Sequence, residues 1–393
     1  MYDFDTIIPR RGTNSIKWDA RPPFDADTEG VIPLWVADMD FKAAPFIIDA
    51  LRKRVEHGVF GYVCVPDSYY EAVCRWFSGR HGWNVEKDWI IYTTGVVPAL
   101  SAAVKALSRP GEKVILQSPV YNCFFSSVRN NGCEILDVPL LYHDGTYSYD
   151  FDGLERACAD PDAKLMLLCN PHNPAGRVWT REELARVGDI ARRHGVTVVS
   201  DEIHCEIVMP GYTYTPFASV SPENQACCVT LCSPSKSFNT ASLQIANIIT
   251  PNPEWRNLLD RAINVNEICD VNPFGVIALE AEYSPEGAQW LDELNSYIYG
   301  NYQLLLKMLP EYPVCKLEGT YLPWVDVSSL GLPSEKIEEA LLRDYKVWVN
   351  AGKMYGTEGF IRINLACPRS ILSEGLKRVQ GGLSALNALK YNK

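Results

Sequence analysis

Between residues 88 and 250 the chain alternates short, uninterrupted apolar runs with longer stretches of helical periodicity, and that alternation narrows the folds open to it. Runs of strand length occur at Asp88–Tyr92, Lys113–Leu116, Lys164–Cys169, Val196–Val199, Val229–Cys232 and Ile245–Ile249. A continuous run such as Lys164–Cys169 fits a strand covered on both faces. Between these runs an Ala/Leu-rich helix is expected from about Val97 to Leu107, closed by Pro110-Gly111. A second helix is expected from Thr180, where Thr180-Arg-Glu-Glu183 has the spacing of a capping box and Gly195 supplies the stop. Strand, helix, strand is a βαβ unit, and repeated units imply a parallel sheet with helices on both faces. The expected class is therefore α/β, with a large domain over residues 46–280 whose mostly parallel sheet is sandwiched by helices. Beyond residue 280, helical patterns (Ala288–Leu309, Ser334–Tyr345) mix with isolated strands (Tyr321–Val327, Gly359–Ile363), while the first 45 residues are extended and Pro-interrupted. A small α+β domain formed by both chain ends, residues 1–45 and 281–393, is expected from this change of texture.

Composition sets the outer limits. Over 393 residues, 47% apolar and 22% charged content excludes a disordered chain. A net charge of −11 gives no general attraction to phosphate backbones or anionic lipid, so neither nucleic acid nor membrane is an expected partner. The N-terminus, Met-Tyr-Asp-Phe-Asp, carries acids where a signal peptide carries bases, and no apolar run approaches the length of a membrane span. A cytoplasmic protein is expected, with its thirteen cysteines as reduced thiols. Cys227, Cys228 and Cys232 form the only cysteine cluster, and no second Cys/His pair follows at zinc-site spacing, so no metal site is expected.

In an open parallel sheet ligands collect at the carboxyl ends of the strands. Past the first strand, Gly95-Val96-Val97 opens a helix whose free amides form an anion seat. Past Lys164–Cys169 comes Asn170-Pro-His-Asn173-Pro174-Ala-Gly176, with an amide side chain placed to donate. Past Val196–Val199 comes Ser200-Asp201-Glu202-Ile203-His204, and past Val229–Cys232 comes Ser233-Pro-Ser235-Lys236-Ser237-Phe238-Asn239. Taken singly these have ordinary readings: a turn glycine, a rigid loop, an N-cap or ion pair, a solvated lysine. Jointly they match the needs of pyridoxal phosphate. That cofactor takes a lysine for its Schiff base, a carboxylate at its ring nitrogen, a donor at its phenolate oxygen and a helix N-terminus with hydroxyls at its phosphate.

The chain resembles the aspartate-aminotransferase fold family, fold type I of the pyridoxal-phosphate enzymes. Within it the chain is similar to the bacterial cystathionine β-lyase/cysteine-S-conjugate β-lyase (C-S lyase) branch. The likeness runs through Gly12–Asp19, Leu34–Phe41, Phe60-Gly-Tyr62, Asn170–Gly176, Asp201–Glu206, Ser233–Asn239, Gly319–Trp324 and Phe360–Asn364. It implies an aminotransferase-like fold and assigns roles residue by residue. Lys236 is the Schiff-base lysine and the base that removes the α-proton, Asp201 partners the pyridine nitrogen, and Asn173 donates to the phenolate oxygen. His204 stands where aminotransferases place a tyrosine, and Tyr121 stacks on the ring. Phosphate ligands are the amides of Gly95, Val96 and Val97, the hydroxyls of Ser233 and Ser235, and Tyr62 of a second subunit, which implies a homodimer. Arg362 clamps the substrate carboxylate, with Asn173 and Ala37 beside it. One departure from the aminotransferase pattern is Gln244, eight residues after Lys236, where those enzymes place a phosphate-binding arginine. The implied activity is α,β-elimination of cystathionine or cysteine S-conjugates to thiol, pyruvate and ammonia. Class I/II aminotransferase is the alternative, and a pyridoxal-phosphate-bound regulatory or interaction protein is the reading from another functional class.

Overall fold

The computed structural model describes residues 2–265 and 271–391. Seven strands form one sheet: β1 Ile90–Thr93, β2 Lys113–Leu116, β3 Glu134–Asp137, β4 Ala163–Cys169, β5 Thr197–Asp201, β6 Cys228–Cys232 and β7 Ala246–Ile249, in the order β1-β7-β6-β5-β4-β2-β3. The four pairings from β6 across to β3 are parallel, and β7 is antiparallel to both β6 and β1. The connection 233–245 between β6 and β7 carries turns rather than the helix a parallel crossover would need. The β6–β7 connection therefore doubles straight back over the edge where β6 ends.

The apolar runs are continuous because the sheet is buried on both faces. Along β4, Leu165, Leu167 and Cys169 pack with Ala99, Leu100, Ala103 and Val104 of the helix Val96–Leu107. Met166 and Leu168 point the other way, into the core that holds Leu184, Val187 and Ile190 of the helix Arg181–Arg193. Alternation along the strand and i, i+3, i+6 spacing along the helix thus feed two apolar layers. Burying each such Leu or Ile side chain contributes about 1.5–3 kcal/mol.

Register brings the strand ends into line. Cys169 pairs with Asp201, Asp201 with Leu231, Cys232 with Asn247, and Ala246 with Thr93. The segments following β1, β4, β5 and β6 consequently emerge along one edge. The first strand starts later than its apolar run suggests, because Lys87–Trp89 form a 3₁₀ turn.

A second, three-stranded antiparallel sheet sets Arg362 opposite both Trp324 and Asn350. Its strands, Trp324–Asp326 and Phe360–Arg362, are shorter than the runs Tyr321–Val327 and Gly359–Ile363, because Pro323 cannot donate to a ladder and Thr320 sits at φ 69°. The N-terminal segment joins the C-terminal part through Ile32–Pro33, which pair in parallel with Val347–Trp348. Among the described residues no helix is long and apolar enough to cross a membrane.

The capping box at Thr180 is formed in full. Thr180 Oγ1 accepts the Glu183 amide at 3.2 Å, and Glu183 Oε2 accepts the Thr180 amide at 2.9 Å. Replacing Thr180 with Ala is expected to cost about 1 kcal/mol of stability, read as a lowered denaturant midpoint with unchanged slope.

Candidate active site

A cavity of about 360 Å³ lies at the carboxyl edge of the sheet, against the small antiparallel sheet. Its walls include Gly95–Val97, Tyr121, Asn173, Asp201, His204, Ser235, Lys236 and Arg362, residues drawn from six separate stretches of sequence. Ala37 also lines it. A larger cleft of about 620 Å³ runs along the outer edge of β1, but it includes none of these groups.

Each side chain owes its place to a strand end or a helix start. The helix Val96–Leu107 has no side-chain cap at Gly95, so its first amides stay free to meet an anion. Asp201 ends β5, is buried, and accepts one hydrogen bond, from Ile203 N–H at 3.1 Å. Burial raises its pKa to about 7; the Ile203 amide and Lys236 pull the other way, and buried Glu202 adds to the rise. Glu202 has a saturated shell of its own: Ser200 Oγ at 2.8 Å, Phe217 N at 2.9 Å and the Tyr214 hydroxyl.

Lys236 is half-buried, and its ammonium donates to the Ala37 carbonyl at 2.7 Å. Burial lowers its pKa, with Arg362 in the same sense and Asp38 and Asp201 opposing. His204 is buried beside two cations. Burial first, then Lys236 and Arg362, push its pKa down to about 3, so it is a neutral imidazole at physiological pH. Its Nδ1 is buried and has no hydrogen-bond partner among the described residues. Arg362 donates through Nη1 to Asn173 Oδ1 at 3.1 Å and through Nη2 to the Trp35 carbonyl at 3.0 Å, while its Nε is unpartnered. The guanidinium lies 4.7 Å from the centre of the Tyr355 ring. Burial raises the Tyr121 pKa, so that hydroxyl stays protonated.

Some expected ligands stand elsewhere. Ser233 is buried but does not line the cavity; its hydroxyl donates to the Ile245 carbonyl at 2.6 Å and accepts the Ser235 amide at 3.1 Å. It therefore shapes the turn that presents Ser235. Tyr62 is 94% exposed and is not brought to the cavity by its own chain. Gln244 is exposed at φ 53° and lies outside the cavity wall. Trp35, Asn350, Tyr355 and Met354 line the cavity without having been singled out from the sequence. Trp35 lies inside the motif Leu34–Phe41, whereas Asn350 belongs to the two-residue strand Asn350–Ala351, too short to mark itself by an apolar run.

Twelve cysteines among the described residues are free thiols, and the thirteenth, Cys269, lies outside them. Cys228 and Cys232 are packed within β6. His81, Cys205 and Glu206 are the one group with metal-ligand spacing among the described residues. The Glu206 oxygens are already taken by Trp76 Nε1, His81 Nε2 and Arg80 Nε, each at 2.7 Å. Burial would raise that carboxyl's pKa, but His81, Arg80 and Trp76 outweigh it and hold it near 2, as in a closed ion-pair cluster.

Comparison with known proteins places the chain in its family. Residues 29–379 match the family model for aminotransferase class I and II, and the chain belongs to that family. It is 43% identical over 388 residues to cystathionine beta-lyase PatB of Bacillus subtilis (strain 168), covering 97% of this chain and all of the relative. It is 34% identical to protein MalY of Escherichia coli (strain K12), over 99% of this chain and all of the relative. Among solved structures, it superposes with a TM-score of 0.94 on cystalysin from Treponema denticola, which contains a pyridoxal 5'-phosphate cofactor. That protein is 36% identical, with 98% of this chain and all of the other covered.

The raised pKa of Asp201 has a consequence for the protein without ligand. Between the ordinary carboxyl value and about 7, the folded state holds a proton that the unfolded chain has released, so this group's contribution to stability is lost as pH rises through that window. Asp201→Asn is expected to raise the melting temperature of the cofactor-free protein at pH 7.5, with the gain fading toward pH 4. Equal melting curves for the two proteins at pH 7.5 would contradict this.

Proposed function

We propose that this protein is a pyridoxal 5'-phosphate-dependent carbon–sulfur β-lyase. It splits cystathionine or other S-substituted cysteines into thiol, pyruvate and ammonia. The carrying observation is a full-length relationship to a cystathionine β-lyase, joined to one cavity that gathers Lys236, Asp201, Asn173 and Arg362.

The groups left unspent in the cavity fit the cofactor. Asp201 is a buried carboxyl with a single amide donor, suited to a protonated ring nitrogen. The uncapped amides at Gly95–Val97 and the Ser235 hydroxyl suit a phosphate. The His204 imidazole and the amide of Asn173 suit the phenolate oxygen, and Tyr121 forms a wall for the ring. Pyridoxal phosphate, when bound, supplies a sink for the electron pair released at the substrate α-carbon.

The protein's own groups do the rest. Arg362 holds the substrate carboxylate through its guanidinium, with Asn173 and Ala37 on either side, and so fixes the α-hydrogen toward Lys236. Lys236 would hold pyridoxal phosphate through its side-chain amine. Its amine then takes the α-proton at Nζ; burial favours the neutral, basic form needed for that step. The bond from Cβ to sulfur breaks, the thiolate leaves and gains a proton, and hydrolysis of the remaining three-carbon fragment yields pyruvate and ammonia.

The same proposal includes a homodimer in the cytoplasm acting on a small amino acid, without nucleic-acid or membrane partners. It also divides the chain into a large unit, 46–280, and a small one, 1–45 with 281–393. Support for the dimer comes from Tyr62, Phe60, Val59 and Val55, a cluster of exposed apolar residues with a tyrosine free to reach a neighbouring site. Light scattering is expected to give two subunits, and a stable, fully active monomer would overturn this part.

Purified enzyme given cystathionine or an S-alkyl-cysteine, with no keto acid, is expected to release thiol and pyruvate. Turnover appearing only when a keto acid is supplied would point to an aminotransferase instead. Lys236→Ala is expected to lose pyruvate release and the visible absorbance of the bound cofactor together; retained turnover would refute the assigned base.

A further inference from the structure

The stretch from Leu34 to Phe41 belongs to no helix or strand, yet it forms one wall of the cavity. Its carbonyls, from Leu34 through Met39, are all engaged. Asn364 N–H donates to Leu34, Asn350 and Arg362 to Trp35, Asn364 Nδ2 to Val36 and Asp38, Lys236 and Tyr321 to Ala37, and Arg10 and Asn239 to Met39. Two of these donors, Lys236 and Arg362, are the groups assigned to proton transfer and carboxylate binding.

Behind this strap lies a buried ionic cluster that does not reach the cavity. Lys17 is 1% exposed, and its Nζ stands 2.7 Å from Asp40 Oδ2 and 3.6 Å from Asp38 Oδ1. Arg10 meets Asp40 Oδ1 and Asp38 Oδ2, each at 2.6 Å, and Trp18 Nε1 donates to Asp40 Oδ1 at 2.8 Å. Lys17 and Trp18 sit on the one-turn helix Ile16–Asp19, whose Lys17 carbonyl accepts Trp35 Nε1 at 3.1 Å. None of Arg10, Lys17, Trp18 or Asp40 lines the cavity. Removing one partner of such a buried pair strands the other charge, whereas replacing both with neutral groups of similar size does not.

We propose that Lys17 and Asp40 are positioning residues for the reaction: their buried ion pair, with Arg10 and Trp18, locks the strap in the path that presents the Ala37 carbonyl to Lys236 and the Trp35 carbonyl to Arg362. A cluster that merely stapled the N-terminus would affect melting and leave the cavity groups where they are. A positioning cluster moves both of them when it is neutralised. The proposal rests on the roles given above to Lys236 and Arg362.

The test uses the cofactor-loaded enzyme carrying Lys17→Met together with Asp40→Asn, with each single variant and Lys17→Arg beside it. Four quantities are read: kcat, KM, the midpoint of the pH titration of the cofactor's visible absorbance, and hydrogen exchange over residues 34–41. The double variant is expected to stay folded and loaded, with kcat/KM for cystathionine at least tenfold down and KM rising as Arg362 loses its anchor. The absorbance midpoint is expected to shift, and exchange to quicken over 34–41 while β4–β6 stay protected. Lys17→Arg, which keeps the charge pair, is expected to restore the midpoint. A double variant with kcat and KM within twofold of the parent and the midpoint and exchange unchanged overturns the proposal. Where a single variant fails to fold, the double variant decides. Midpoint and exchange are read without turnover, so a failed lyase assay on the parent enzyme leaves this test intact.

Discussion

Cys169 pairs with Asp201 and Asp201 with Leu231, so three parallel strands end level with one another in the middle of the sheet. That register is what everything around the cavity depends on. The strands are apolar on both faces and can carry no unpaired polar group along their length. Chemistry is therefore confined to their ends, and level ends put four loops within reach of one small ligand. Because β7 returns antiparallel after the short connection 233–245, the loop carrying Lys236 is folded across that edge rather than led away from it.

The same burial that stabilises the sheet sets the electrostatics of the site. Asp201 is pushed toward its neutral form, and Lys236 and His204 are pushed toward theirs, in each case chiefly through loss of hydration. The cavity thus holds a carboxyl with a raised pKa, an amine with a lowered one and a neutral imidazole, with Arg362 as the fixed cation. The lowered Lys236 pKa favours the free amine that proton abstraction needs, while His204 stays a neutral imidazole beside it. The overall charge of −11 is a sum over the whole chain and says nothing of this local balance.

The sheet was legible in the sequence because two-sided burial writes itself as unbroken apolar runs, and the helix at Thr180 because its cap is local. Lys113–Leu116 and Ser334–Tyr345 coincide with the elements formed. Asn173, Asp201, Ser235 and Lys236 could be located because each follows such a run. The direction of β7 could not, since pairing sense is set by the length and content of a connection rather than by the strand's own residues. Nor could the difference between Ser233 and Ser235 be read: both hydroxyls flank Pro234, and only the fold turns one toward the Ile245 carbonyl and the other toward the cavity.

What the sequence concealed most fully is the wall made by the strap. A segment with no ladder of its own must have its buried carbonyls met by side chains, or bear the cost of leaving them unpaired. Three asparagines do this from distant places: Asn239 in the loop that carries Lys236, Asn350 in one short strand and Asn364 just past another. An amide side chain is suited to the task because its NH₂ offers two donors without adding charge beside Lys236 and Arg362. Asn239 and Asn364 each close a motif whose chemistry had been ascribed to other residues, Lys236 and Arg362. Their position two or three residues past a functional cation follows from the geometry: the turn that aims the cation at the ligand also brings the amide under the strap, so one stretch of backbone serves both.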